Sequence, residues 1–293
     1  AVDQTRGWFY TLLAVATLLG YGTPYKNVIS LGLILDKDGK KMSKSLGNVV
    51  NPGEMMGKYG ADATRWYMYT VNPAGEPKKF DETDLTKTLR KFILLLYNSF
   101  VFLNTYGDKA SGVKRQASGL NVLDRWISAR LNETILKATQ WMEKYEPGEA
   151  AREIENLIDD LSRWYIRRSR RRFQYPANDA DLKTASSVLG YILLETSKLT
   201  APFAPFFAEA LCKSLSKGGE SAHLEDWPKA EENLVDEEKH MRDYGLLGKG
   251  EELTSDHQDS FGLGMTEKFL GTLMNTLIKS LDKQFKSADK DFK

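Results

Sequence analysis

Apolar residues first gather between Phe9 and Leu19, in "FYTLLAVATLL". So dense a run at helical spacing predicts a buried helix, with Trp8 and Phe9 in its core. Such a helix needs partners that the first ~20 residues cannot supply alone. "KNVISLGLIL" follows. Val28, Ile29, Leu31, Leu33, Ile34 and Leu35 give it the β-rich apolar content of a buried parallel strand. A polar stretch from Asp36 to Asn48, "DKDGKKMSKSLGN", then interrupts as a loop. Asn51 and Pro52 can start a helix, Gly57 and Gly60 interrupt it, and "ADATRWYMYT" resumes the pattern. Helix, strand, loop and helix in this order predict the closing part of an α/β domain over residues 1–83, whose earlier strands lie outside this sequence.

From about Asp84 the period changes. "DLTKTLRKFILLLYNSFVFLNTY" places Leu85, Leu89, Phe92, Leu96 and Phe100 near one face of a long amphipathic helix. "NVLDRWISARLNETILKATQWMEKYEP" and "PGEAAREIENLIDDLSRWYIRRSRRRF" read as two more. A fourth, in "ADLKTASSVLGYILLETSKLTAPFAPFFAEALCKSL", is expected to break at Pro202 and Pro205. Short polar or Gly/Pro segments separate them, the pattern of an antiparallel helical bundle over residues 84–232. The rest, 233–293, reads as a linker and an amphipathic tail helix. In the tail Phe269, Leu270, Leu273, Met274, Leu277, Ile278, Leu281 and Phe285 form one wide stripe. That stripe must dock on the bundle or on a protein partner, since its polar face mixes Lys with Asp and Glu.

Composition narrows the picture in three ways. The net charge of +1 means that any basic surface is local and balanced elsewhere. A single cysteine, Cys212, excludes an internal disulfide and any multi-cysteine zinc site, and fits a reducing, cytoplasmic compartment. The longest apolar runs, "TLLAVATLLGYG" and "APFAPFFAEAL", are too short to span a membrane. No signal peptide or internal repeat is visible.

Three stretches could carry chemistry. The Asp36–Asn48 loop gathers amines that can neutralise a polyphosphate, and amines that engage as charge moves onto a leaving group stabilise the transition state. A lysine run of this kind is otherwise a solvated turn. In "DQTRGWF", Asp3 and Gln4 could bond ribose hydroxyls or an amino group, or could simply cap the following helix. In "LSRWYIRRSRRRF", six arginines and no acid lie between Arg163 and Arg172. Arg163, Arg167 and Arg170 align on one side, as expected of a contact to a phosphate backbone. An arginine face paired with Glu153, Asp159 and Asp160 is the alternative.

"KMSKS" at Lys41–Ser45 resembles the signature loop of class I aminoacyl-tRNA synthetases. "DQTRGWFYTLL" and "KYGADATRWYMY", at their spacings before and after it, resemble the isoleucyl/valyl/leucyl subgroup. "DRWISARLN" and "DLSRWYIRRSRRRF" look most like its isoleucyl members, and the resemblance covers roughly residues 1–230. It implies the end of a Rossmann-type catalytic domain followed by an all-α anticodon-binding bundle.

The resemblance also implies roles. Lys41, Met42, Ser43, Lys44 and Ser45 would close over ATP, which carries Mg2+, as pyrophosphate leaves an aminoacyl-adenylate. Lys41 and Lys44 would be the catalytic amines. Asp3 and Gln4 would lie on the adenylate and substrate side. Arg163, Arg167, Arg168, Arg170 and Arg171 would meet tRNA(Ile). The family's histidine pair, its editing domain and its terminal zinc module are not found in the sequence, so a C-terminal piece of such an enzyme is expected. Two functions of different classes follow: part of a ligase joining isoleucine to tRNA, or a tRNA-binding module without catalysis. A valyl enzyme is the alternative within the family.

Overall fold

The computed structural model describes residues 2–108, 119–216 and 221–231. The linker and tail helix expected within 233–293 lie outside the described residues. A turn at Val2–Gln4 and a wide π-helical turn at Thr5–Phe9 lead into α1 (Tyr10–Leu18). The expected helix is present, yet only Ala16 of it is buried, and Leu18 is 86% exposed. The core assignment for Trp8 and Phe9 is corrected as well. Trp8 is exposed and Phe9 half-buried, and among the described residues their rings meet each other and Tyr25.

The buried strand is a second correction. Only β1 (Ile34–Leu35) forms, and it pairs in parallel with β2 (Lys78–Lys79), Ile34 opposite Lys78. With so short a partner, Val28, Ile29, Leu31 and Ile34 stay exposed. The chain still packs tightly just before β1. The Gly32 N–H donates to Ala74 O at 2.9 Å, and a Cβ on Gly32 would fall 2.0 Å from Glu76 O. Only glycine permits two backbones so close.

The helices that follow are punctuated by caps and prolines. Asn51 caps α2 (Pro52–Tyr59) by accepting from Gly53 N, and Gly60, at φ +87°, turns the chain into α3 (Ala61–Thr70). Asp81 caps α4 (Glu82–Leu89), which runs through a π turn at Arg90–Leu94 into α5 (Leu95–Tyr106). Leu85, Leu89, Phe92 and Leu96 are buried along this rod, as the spacing predicts. A reciprocal cap between Asn121 and Asp124 opens α6 (Val122–Glu143). Next, α7 (Pro147–Asp159) continues through a π turn at Asp160–Ile166 into α8 (Arg167–Gln174). The last pair among the described residues is α9 (Asp179–Thr200) and α10 (Pro205–Leu215), and the break falls at the prolines as expected.

One hydrophobic core runs from Tyr59 to Leu215, and α3 is part of it. Trp66 of α3 stacks on Phe92 with ring centroids 3.5 Å apart and meets Phe203 edge-on at 5.6 Å. Each such side chain, fully buried, contributes about 1.5–3 kcal/mol. The packing therefore crosses residue 83 without a seam. Polar clamps reinforce it. The Asp62 carboxylate accepts from Phe207 N at 2.6 Å in the first turn of α10. Arg65 donates to Phe203 O and Pro202 O, both at 3.0 Å.

Candidate functional site

The lysine loop is built on a brace at its two ends. After β1 the chain turns tightly, with Asp36 Oδ1 accepting from Asp38 N at 3.0 Å and from Lys40 N at 2.7 Å. Lys41 then bridges back to Leu35. At the far end Asn48 donates its amide to Asp36 Oδ2 at 2.7 Å and to Lys41 O at 3.3 Å, while its carbonyl accepts from Ser43 N at 2.9 Å. These bonds, the Asn48 amide foremost, hold the Asp36 carboxyl below the usual carboxylate range. Asp36 stays ionised and pins both ends of the loop.

Between the pinned ends, Ser43 caps a single 3-10 turn at Lys44–Leu46, and Gly47, at φ +65°, closes it. Ser43 and Ser45 share a hydroxyl contact at 2.7 Å. Met42 turns inward against the core, while Lys41, Lys44 and Ser45 are exposed. Among the described residues no carboxylate pairs with Lys41 or Lys44. A loop braced at both ends and presenting amines without a described carboxylate partner is suited to a polyanion, because its ends need little rearrangement when charge develops.

Asp3 and Gln4 sit in the N-terminal turn and are exposed. Gln4 Oε1 accepts from Trp8 N at 3.3 Å, so its side chain is engaged as a helix cap. Val2 N donates to Leu31 O at 3.1 Å, tying this turn to the segment that enters β1. The structure thus joins the N-terminal turn and the lysine loop through one stretch of chain.

The arginines form a separate site on the bundle, and they divide into unlike groups. Arg163 lies in the π turn and pairs with Asp159 at 2.9 Å, both side chains about half exposed. The acidic-neighbour reading thus holds for Arg163 with Asp159. An exposed pair of this kind is worth about 0–1 kcal/mol, too little to prevent exchange for a phosphate. Asp160 is taken by Arg130 instead, at 2.7 Å. Arg167, Arg170 and Arg171 are exposed on α8. Arg168 lies over the Trp164 ring, its guanidinium carbon 3.6 Å from the centroid, a separation that leaves room only for a near-parallel guanidinium.

Arg172 belongs to the interior. It donates to both Asp124 oxygens, at 2.7 and 3.0 Å, and to Asp181 at 2.7 Å. Asp124 is fully buried and also accepts from the Tyr165 hydroxyl at 2.7 Å. Burial, with Asp124 alongside, pushes the Tyr165 hydroxyl well above its ordinary range. The spacing carried a signal for this. Residues 161, 165 and 172 fall on one helical stripe, and Leu161 and Tyr165 are core.

The chain matches two family models. One describes class I tRNA synthetases for I, L, M and V, over residues 1–81, and the other the anticodon-binding domain of tRNA ligase, over residues 124–257. Among curated proteins it is 46% identical over 247 residues to the isoleucine--tRNA ligase of Dehalococcoides mccartyi strain CBDB1. That alignment spans 81% of this chain and 24% of the relative. It is 42% identical over 239 residues to the isoleucine--tRNA ligase of Deinococcus radiodurans, covering 80% of this chain and 22% of that one. Among solved structures it resembles the LeuRS of Agrobacterium radiobacter K84 in a ternary complex with tRNA and LeuAMS. The TM-score is 0.60 at 25% identity, over 76% of this chain and 27% of that one. The chain thus spans about a quarter of the length of the relatives it matches.

Proposed function

Because the chain belongs to the class I tRNA synthetases, we propose that it serves within a longer enzyme that joins isoleucine to tRNA(Ile) through an isoleucyl-adenylate. The observation that carries this reading is the braced loop presenting Lys41 and Lys44 without a carboxylate partner among the described residues. ATP arrives with its Mg2+, and the two amines meet its phosphates as pyrophosphate departs. Met42 anchors the loop to the core, and Ser43 and Ser45 shape the turn. Asp3 and Gln4 lie toward the adenylate. The exposed arginines of α8, with Arg163, meet the tRNA. Isoleucine is the amino acid that the relatives' names support. An apolar pocket separates it from valine by only about 1–3 kcal/mol per methylene, so charging assays with both are required. The work is placed in the cytoplasm, where Cys212 stays a thiol.

Lys44→Ala in the full-length enzyme tests the loop. Losing one preorganised charge should cost about 3 kcal/mol, or about a hundredfold in ATP–pyrophosphate exchange, with isoleucine binding unchanged. Exchange at nearly the wild-type rate would remove Lys44 from the catalytic role. A second reading, RNA binding without catalysis by this stretch on its own, is favoured by the anticodon-binding match over residues 124–257. Binding of tRNA to the 293-residue chain that yields no adenylate is its expected signature.

A further inference from the structure

The arginines of the 163–172 stretch have different surroundings, and one of them is built differently from a phosphate contact. Trp126 is 5% exposed and packs edge-to-face on Trp164, centroids 6.4 Å apart. Trp164 is half-buried, and the exposed Arg168 guanidinium lies over its ring at 3.6 Å. The three groups form a column that runs from the core to the surface and ends in a flat cation. A guanidinium held against an indole has one plane already covered and has lost much of its freedom to swing toward a phosphate. Its other plane is suited to receive a planar π system, as unpaired bases are received by arginine planes in single-stranded RNA recognition. Arg167 and Arg171 stand beside it, one helical turn apart and exposed, placed to hold the flanking backbone.

We propose that Arg168, backed by Trp164 and Trp126, is a stacking platform for one unpaired nucleobase, while Arg167 and Arg171 supply the phosphate contacts. This rests on the tRNA-binding reading above and assigns the mode of contact within it. The platform recognises the π face of a base and not its edge, so it selects unpaired over paired RNA and tolerates base identity. Its contribution to binding is carried by the plane of the guanidinium and not by its charge.

The test uses the 293-residue chain and two RNA probes: a hairpin with an unpaired loop of the anticodon-arm kind, and the same stem continued as a duplex. Arg168→Lys keeps the charge and loses the plane. It should weaken hairpin binding about tenfold or more, leave duplex binding unchanged, and leave the log–log salt dependence unchanged. Arg167→Ala and Arg171→Ala should each flatten the salt dependence for both probes. Melting temperatures equal to wild type exclude a folding defect. Should Arg168→Lys unfold the chain, Trp164→Phe, which keeps a ring under the guanidinium, is expected to retain hairpin preference. Loss of that preference in a folded Trp164→Phe protein would overturn the column. Wild-type hairpin affinity in folded Arg168→Lys, or an equal loss on both probes, overturns the platform alone. Failure of the wild-type chain to bind either RNA overturns the tRNA-binding reading and the platform with it.

Discussion

Asp62 should make this fold less stable as pH rises from about 4 to about 6. The residue is 6% exposed, wedged between α3 and the start of α10. One carboxylate oxygen accepts from Phe207 N at 2.6 Å, and the other has no side-chain or backbone hydrogen bond among the described residues. Burial pushes its pKa from 3.8 up to about 6, against the opposing pull of the Phe207 and Phe206 amides, Arg65 and His223. The folded state therefore holds a proton that the unfolded chain releases near 3.8. Stability from this group is complete below pH 4 and is lost as pH rises through about 6. The rise corresponds to about 3 kcal/mol, a large share of a typical folding free energy. Asp36, Asp81, Glu82 and Glu209 are shifted downward and act with opposite sign at lower pH. Their effects cancel in a comparison of wild type with Asp62→Asn, which retains a carbonyl acceptor for Phe207 N. Urea midpoints followed by tryptophan fluorescence at pH 4, 5, 6 and 7 give the difference. Wild type should lose about 2 kcal/mol relative to the variant between pH 4 and pH 7, the rest of the effect lying below pH 4. Parallel curves would mean that Asp62 titrates as an ordinary surface acid, and the desolvation argument would fail.

Two further outcomes follow from the core. Arg172→Ala leaves the fully buried Asp124 without its bidentate partner, and should cost about 3–5 kcal/mol, read as a lower urea midpoint; a loss under about 1 kcal/mol would mean that water reaches the site. A chain keeping residues 51–231 should unfold in one cooperative step. One keeping only 84–231 loses Trp66 from against Phe92 and Phe203, and Ala63 and Tyr67 from the same core, and should bind a hydrophobic dye and melt without a sharp transition. Equal cooperativity in the two would support a domain boundary at residue 83.

The sequence was most legible where one helix carries its own information. The stripe of Leu85, Leu89, Phe92 and Leu96 recurs at three and four residues, and burial follows it. Asn51 and Asp81 mark helix starts because their side chains replace missing backbone partners, a local event. Legibility failed where burial depends on what lies opposite. "FYTLLAVATLL" shows that a surface favours cover, not that cover is present, and α1 stands largely exposed. The apolar face of α3 is equally silent about which side of residue 83 it packs on. The Asp36–Asn48 brace spans twelve residues of an apparently structureless polar run, and no propensity reports a bond between two side chains at that separation. Charge is visible in a sequence and partners are not, so the six arginines from Arg163 to Arg172 do not announce which of them is already taken. Only position on the helical stripe distinguishes Arg172, which is sealed to Asp124, from Arg171, which is exposed.

The packing also constrains how the two candidate sites can communicate. Met42 in the lysine loop, and Val50 and Met55 beyond it, rest on the same core that holds Trp66. From α3, Asp62 and Arg65 reach the corner between α9 and α10. At its other end Thr70 O accepts from Arg152 at 3.1 Å, and Tyr69 O lies so near Gly148 that an added Cβ would come within 2.7 Å of it. Both contacts are to α7, which runs on through the π turn into the arginine helix. A relay between distant sites needs an element with two arrangements of similar energy. This path offers close-packed side chains, backbone held at glycine distance, and buried hydrogen bonds, each of which penalises displacement. Its physical character is that of a ruler. The core fixes the separation and orientation of the lysine loop and the arginine face through packing that exists before any ligand binds.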